Sequence, residues 1–116
     1  MSAQPIEPNP PDFYAVTSDN RLAAQTTIDG LGLPAPTMVV RPEAVHVTLA
    51  DPDDLGLWMY ALGGTVRRGI EMYGASLWTL HTETPARPGG AVRILVHVPV
   101  VSGEDVLAEL RSAVAL

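Results

Sequence analysis

Residues 44–64 read AVHVTLADPDDLGLWMYALGG, and this stretch decides the fold. From Ala44 to Ala50 the apolar side chains alternate. Val45, Val47 and Leu49 fall on one face and His46 and Thr48 on the other, the period-2 pattern of a half-buried strand. Asp51 then offers its carboxylate as a helix N-cap. Pro52 sits at the first helical position, where its missing N–H costs nothing. Asp53 and Asp54 place negative charge against the positive end of the helix dipole. Leu55, Trp58, Met59 and Leu62 follow the i, i+3, i+4, i+7 spacing of a buried stripe. Gly63 and Gly64 supply the left-handed backbone that ends a helix. One strand therefore runs straight into one amphipathic helix.

Downstream the period returns to two. Thr65 to Tyr73 reads as a strand, Gly74 as a turn and Ala75 to Glu83 as the partner strand of a hairpin. On the second strand Trp78, Leu80 and Thr82 share one face; Leu77, Thr79, His81 and Glu83 share the other. Residues 84–90, TPARPGG, form a loop. Ala91 to Val101 carries Val92, Ile94, Val96, Val98 and Val100 on one face, with Arg93, Leu95, His97 and Pro99 opposite. Ser102 is placed to cap a last helix whose stripe is Val106, Leu107, Leu110 and Val114. One conflict stands out. Arg68 shares its face with Val66 and Ile70, and it needs a bulge, an edge strand or a charged partner to be accommodated.

Upstream, residues 1–12 hold four prolines and read as an extended arm with polyproline character. Residues 13–42 read as a docking segment. It begins with the apolar cluster Phe13, Tyr14 and Val16. Asp19-Asn20 offers an N-cap for a short helix from Arg21 to Ile28 that ends at Gly30, and Thr37 to Val40 is a short strand stopped by Pro42. The expectation is an α+β domain over residues 43–116 with a β-α-β-β-β-α core. Its sheet is mostly antiparallel with helices packed on one face, preceded by an extended N-terminal arm.

Composition narrows the functions. The 116 residues contain no cysteine, which excludes disulfides, thiol nucleophiles and cysteine-ligated metals. The formal net charge is −6, and all seven basic residues are arginine. That balance speaks against a phosphate-backbone binder and against an anionic membrane surface, so neither nucleic acid nor membrane is expected as a partner. The total absence of lysine resembles the codon usage of high-GC bacteria or their phages. The first residues have neither a basic region nor an apolar stretch, so no secretory signal is read there and a cytoplasmic setting, or a virion if phage-encoded, is expected.

The sequence carries no motif for catalysis, metal or nucleotide. His46, His81 and His97 each lie opposite their strand's apolar row. If their strands are neighbours they converge on the open face with Glu83 nearby, yet no HxH or HExxH spacing supports a metal site, and no metal or cofactor is expected. A histidine acid/base acting with Tyr73 or Glu71 is a further arrangement of the same face. Gly63-Gly64 and Gly89-Gly90 lack the spacing of phosphate loops. Arg67-Arg68 on a strand points to opposite faces and makes no patch.

What remains is a mixed apolar and polar sheet face beside an arm. The expected partner surface comprises Ile6, Phe13, Tyr14, Tyr73, Leu77, His81, Leu95 and His97, unless Phe13, Tyr14 and Val16 fold back over the face and cover it. The expected function is that of a non-enzymatic interaction or assembly protein, self-associating as a homo-oligomer or binding a protein partner. The alternative is a small ligand-binding or enzymatic α+β protein of the dimeric ferredoxin-like kind, with a His/Tyr-lined pocket.

Overall fold

A computed structural model describes residues 13–101. The expected arm at residues 1–12, Ile6 included, and the expected last helix after Ser102 lie outside the described residues. Helix α1 spans Phe13–Leu31, strand β1 Thr37–Val40, β2 Val45–Thr48, helix α2 Pro52–Leu62, β3 Thr65–Arg68, β4 Ala75–Glu83 and β5 Arg93–Val101. The strands form one five-stranded sheet in the order β1-β2-β5-β4-β3. Only β2 and β5 pair in parallel; β1 with β2, β3 with β4 and β4 with β5 are antiparallel. The architecture is the expected α+β class with a mostly antiparallel sheet. Both helices lie on one face, where Ala24 and Ile28 of α1 and Leu55 and Trp58 of α2 join Val45, Val47, Leu80, Ile94, Val96 and Val98 in a single core.

Helix α2 begins and ends as its residues dictate. Asp51 has extended backbone, and its Oδ1 accepts from the Asp53 amide at 2.9 Å. At the other end Gly63 turns to φ +71, and its amide donates to the Met59 carbonyl. Trp58 is fully buried, and its indole N–H donates to the Pro34 carbonyl at 2.8 Å, which satisfies the one polar atom the ring brings inside. The expected stripe is narrower than its spacing implies. Leu55 and Trp58 are buried and Leu62 packs against the core, but Met59 stays 42% exposed. A helix lying on one sheet buries a single arc, and Met59, about 100° round from Trp58, falls at its flank.

Helix α1 is longer than the Arg21–Ile28 expected. Asp19 and Asn20 do not cap it: they are its seventh and eighth residues, and their side chains take tertiary partners instead. The buried Asn20 side chain donates to the carbonyls of Arg41 and Pro42, which pins the helix to the β1–β2 turn. Asp19 takes a two-pronged ion pair from Arg87 in the β4–β5 loop. Thr27 is accommodated in the helix by donating its hydroxyl to the Ala23 carbonyl. The helix runs past Gly30 and stops at Gly32 (φ +64), where the Leu33 amide reaches the Ile28 carbonyl at 3.0 Å and the two side chains are buried together. That is the hydrogen bond and the apolar contact of a Schellman cap.

The β3–β4 hairpin resolves the Arg68 conflict. β3 is an edge strand that ends at Arg68, five residues short of the expected Tyr73. Its register places Arg68 opposite Trp78, and the guanidinium lies 4.7 Å over the Trp78 ring, a cation–π contact at the rim of the core. Beyond it Met72 pairs with Ala75, one residue out of step with that register, so Gly69 to Glu71 form a bulge against Ser76 and Leu77. Gly69 allows the close approach: its amide donates to the Leu77 carbonyl at 2.7 Å, and a Cβ there would lie 2.9 Å from that same oxygen. Ile70 is thereby released from the strand and left 86% exposed. Tyr73 and Gly74 both adopt positive φ, +53 and +77, as the two-residue turn of a tight hairpin requires.

Candidate functional site on the open sheet face

With both helices on one side, the other side of the sheet is bare among the described residues. Register places its side chains in rows. One row runs Thr37, Thr48, His97, Thr79, Arg67 from edge to edge; the next runs Val39, His46, Leu95, His81, Thr65. The strands of the three histidines are neighbours, so the expected convergence occurs.

The centre is a hydrogen-bonded chain. Nδ1 of His46 lies 2.9 Å from Nε2 of His97, and the two rings stack with centroids 5.2 Å apart and planes 12° from parallel. Nδ1 of His97 lies 2.8 Å from the Thr79 hydroxyl. His97 therefore has a partner at each ring nitrogen. Partial burial lowers its pKa from the ordinary 6.5, and the neighbouring His46 and His81 lower it further. At neutral pH this imidazole is uncharged, and Thr79 rotates its hydroxyl to suit whichever tautomer is present. Among the described residues no group of three or more His, Asp or Glu is arranged to hold a metal ion.

The expected partner residues separate into three places. Leu77, His81, Leu95 and His97 lie on the open face, where Leu95 is half-buried between His46 and His81 and Leu77 is exposed opposite Pro99. Tyr73 is not on that face. It sits at the hairpin tip, fully exposed and beyond Ala75, which is itself six strand positions from His81, about 20 Å at 3.3 Å per residue. Glu71 is in the bulge at the same end. Neither joins the histidines, so the described residues form no His/Tyr-lined pocket on the sheet. Phe13 and Tyr14 are exposed in the first turn of α1, on the helix side of the sheet with Val16, so that cluster does not fold back over the open face.

His46 and Thr79 were not among the expected partner residues, yet they complete the network. The signal for Thr79 was present in the alternation of Leu77, Thr79 and His81. Its meaning depended on β5 lying beside β4 in a register that sets Thr79 against His97. A separate depression of about 530 Å³ opens between α1 and the β4–β5 loop, lined by Asn20, Pro42, Glu83, Arg93 and the Asp19–Arg87 pair. The Asp19 carboxyl is held below its ordinary range by the hydrogen bond from Arg87, which ties two elements together and leaves that pair already matched. No helix among the described residues is long and apolar enough to cross a membrane. No family model, no curated protein and no solved structure matches this chain.

Proposed function

We propose that this chain is a non-enzymatic interaction or assembly protein, bacterial or phage-encoded, that self-associates through the open face of its sheet. Its setting is then the cytoplasm, or the virion if phage-encoded. The observation that carries the reading is the contrast of exposures. All described helical packing is on one side, while the other presents Leu77, Leu95 and Val39 among threonines, the hydrogen-bonded pair His46 and His97, and the exposed His81. A surface of apolar groups and satisfied polar groups is cheap to dehydrate, which is what a partner contact needs. The arm at residues 1–12 is the second expected contributor, through Ile6. Sedimentation of the full chain, of a chain lacking residues 1–12 and of Leu77→Asp tests both parts. The reading expects an oligomer that Leu77→Asp weakens at least about tenfold, since a carboxylate without a partner would be buried. An oligomer unchanged by either alteration, or a monomer throughout, overturns it.

A second reading has one observation in its favour. Thr79, His97 and His46 lie in the order of nucleophile, base and orienting group. An acyl-transfer activity would then be visible as hydrolysis of 4-nitrophenyl acetate that is lost in both Thr79→Val and His97→Gln. Equal rates in wild type and variants remove it.

A further inference from the structure

We propose that the open face is the contact between two copies of this chain and that the histidine network at its centre makes the contact acid-labile. The inference rests on the reading of that face as the self-association surface and adds its regulation. A second copy is the occupant that the geometry of the face suits. The nine-residue strands β4 and β5 run about 30 Å and the four-residue strands β1, β2 and β3 about 13 Å; at 4.7–4.9 Å spacing their flat footprint is roughly 480 Å², to which side-chain relief adds toward the ~800 Å² per partner of a stable dimer. The charges stand at the margins: Arg67 on the β3 edge strand, and Arg93 opposite Glu83 at one end of the sheet. The centre holds Leu95, His46, His81, His97, Thr48 and Thr79, which carry no charge while the histidines are neutral. An uncharged centre inside a charged rim is the anatomy of an interface, and two such faces meet without opposing charges at their middle.

The network sets the conditions under which that centre can be covered. A 2.9 Å contact between two imidazole nitrogens needs one donor and one acceptor. The neutral pair satisfies this, and both nitrogens of His97 keep partners when water leaves. A second proton on the pair sets N–H against N–H and breaks the contact. Even one proton places a cation in a surface being dehydrated. The groups facing the pair offer little compensation. β5 supplies Arg93, β4 supplies His81 and Glu83, β3 supplies Arg67, and β1 supplies Thr37 and Val39, which do not titrate. Glu83 is the one anion on these strands, and its register partner is Arg93. His97 is thus harder to protonate in the dimer than in the protomer. The protomer then binds more protons, and the dissociation constant rises as pH falls. General electrostatics runs the other way. Each proton taken up reduces the formal net charge of −6 and weakens repulsion between copies. Dissociation in acid therefore reports the buried histidines.

The test is sedimentation equilibrium of the full chain at about pH 7.5 and about pH 5.5, for wild type, Thr48→Arg and the double variant His46→Gln/His97→Gln. Thr48 is exposed beside His97, so Arg is tolerated by the fold while it blocks the face. Wild type is expected to be dimeric near pH 7.5, with a dissociation constant at least about tenfold higher near pH 5.5. Thr48→Arg is expected to be monomeric at both values, and the double glutamine variant dimeric at both. If the double variant fails to fold, His46→Gln alone takes its place and is expected to lose the acid response. A wild-type dimer indifferent to acid, or strengthened by it, overturns the acid lability while a monomeric Thr48→Arg keeps the face as the interface. A dimer that survives Thr48→Arg, or a monomeric wild type at both values, overturns the interface itself. A glutamine variant still dissociated by acid removes His46 and His97 as its cause.

Discussion

The two faces of the sheet are built from the same strands, residue by residue in alternation, and they obey different rules. On the helix side Val45, Val47, Ile94, Val96 and Val98 are wholly buried, and their side chains can do nothing but pack. On the other side His46, Leu95, His97 and Thr79 are half-exposed, and hydrogen bonds organise the three polar ones. The difference teaches where to look in a small domain whose sheet has one packed and one bare face among the described residues. The packed face specifies the fold, and the face left over is free to carry chemistry, provided its polar groups satisfy one another.

Four measurements break or sharpen this contrast. Trp58→Ala on the packed side should cost about 3–5 kcal/mol in a denaturant or thermal melt, because the lost ring leaves a cavity under the sheet and orphans the Pro34 carbonyl. A melt unchanged from wild type would reject the packed face as the seat of stability. Gly64→Ala should cost about 2–3 kcal/mol. Its backbone is at φ +108, and the new Cβ would lie 2.3 Å from the His81 carbonyl, so the α2–β3 turn has to move away from β4. A smaller loss would show that this turn yields easily.

Adjacent residues on β2 give the sharpest comparison. Val47→Ala should cost about 2 kcal/mol for two buried carbons and their cavity, whereas Thr48→Ala, one residue on, should stay within about 0.5 kcal/mol in the protomer. Equal losses would erase the distinction between faces. The smallest effect is on pH. Since the His97 pKa is lowered in the folded chain, its contribution to stability is fully present above 6.5 and is lost as pH falls through the lowered value. Melts of wild type should weaken with acid in that window, and His97→Gln should flatten that part of the profile. A slope unchanged in the variant would assign the acid response to other groups.

The sequence carried most of the packed face. The alternation through Val45 and Ile94, the Asp51 cap and the glycine stop at Gly63 are local signals, and each matches the structure because local geometry suffices to determine it. The limits of α1 were not legible, since Asn20 looks like a cap until the β1–β2 turn is placed beside it. β3 is shorter than its apolar pattern implies, because the bulge at Gly69 depends on the approach of the Leu77 carbonyl. For the open face, alternation assigned each histidine to the correct side. The pairing of His46 with His97 across 51 positions is a product of strand order, which no spacing within one strand encodes.

The strand order has one more consequence, for the birth of the chain at the ribosome. β5 is the last described strand to be made, and it is inserted in the middle of the sheet, joining β2 on one side and β4 on the other. Until it emerges, the chain can form two separate hairpins, β1 with β2 and β3 with β4, each with an inner edge waiting for the same strand. The valines of β2 and the apolar row of β4 have no common core to enter during that interval. A nascent or truncated chain ending before Arg93 is therefore expected to be a pair of sticky ribbons in need of a chaperone, and the completed sheet to close in a single late step.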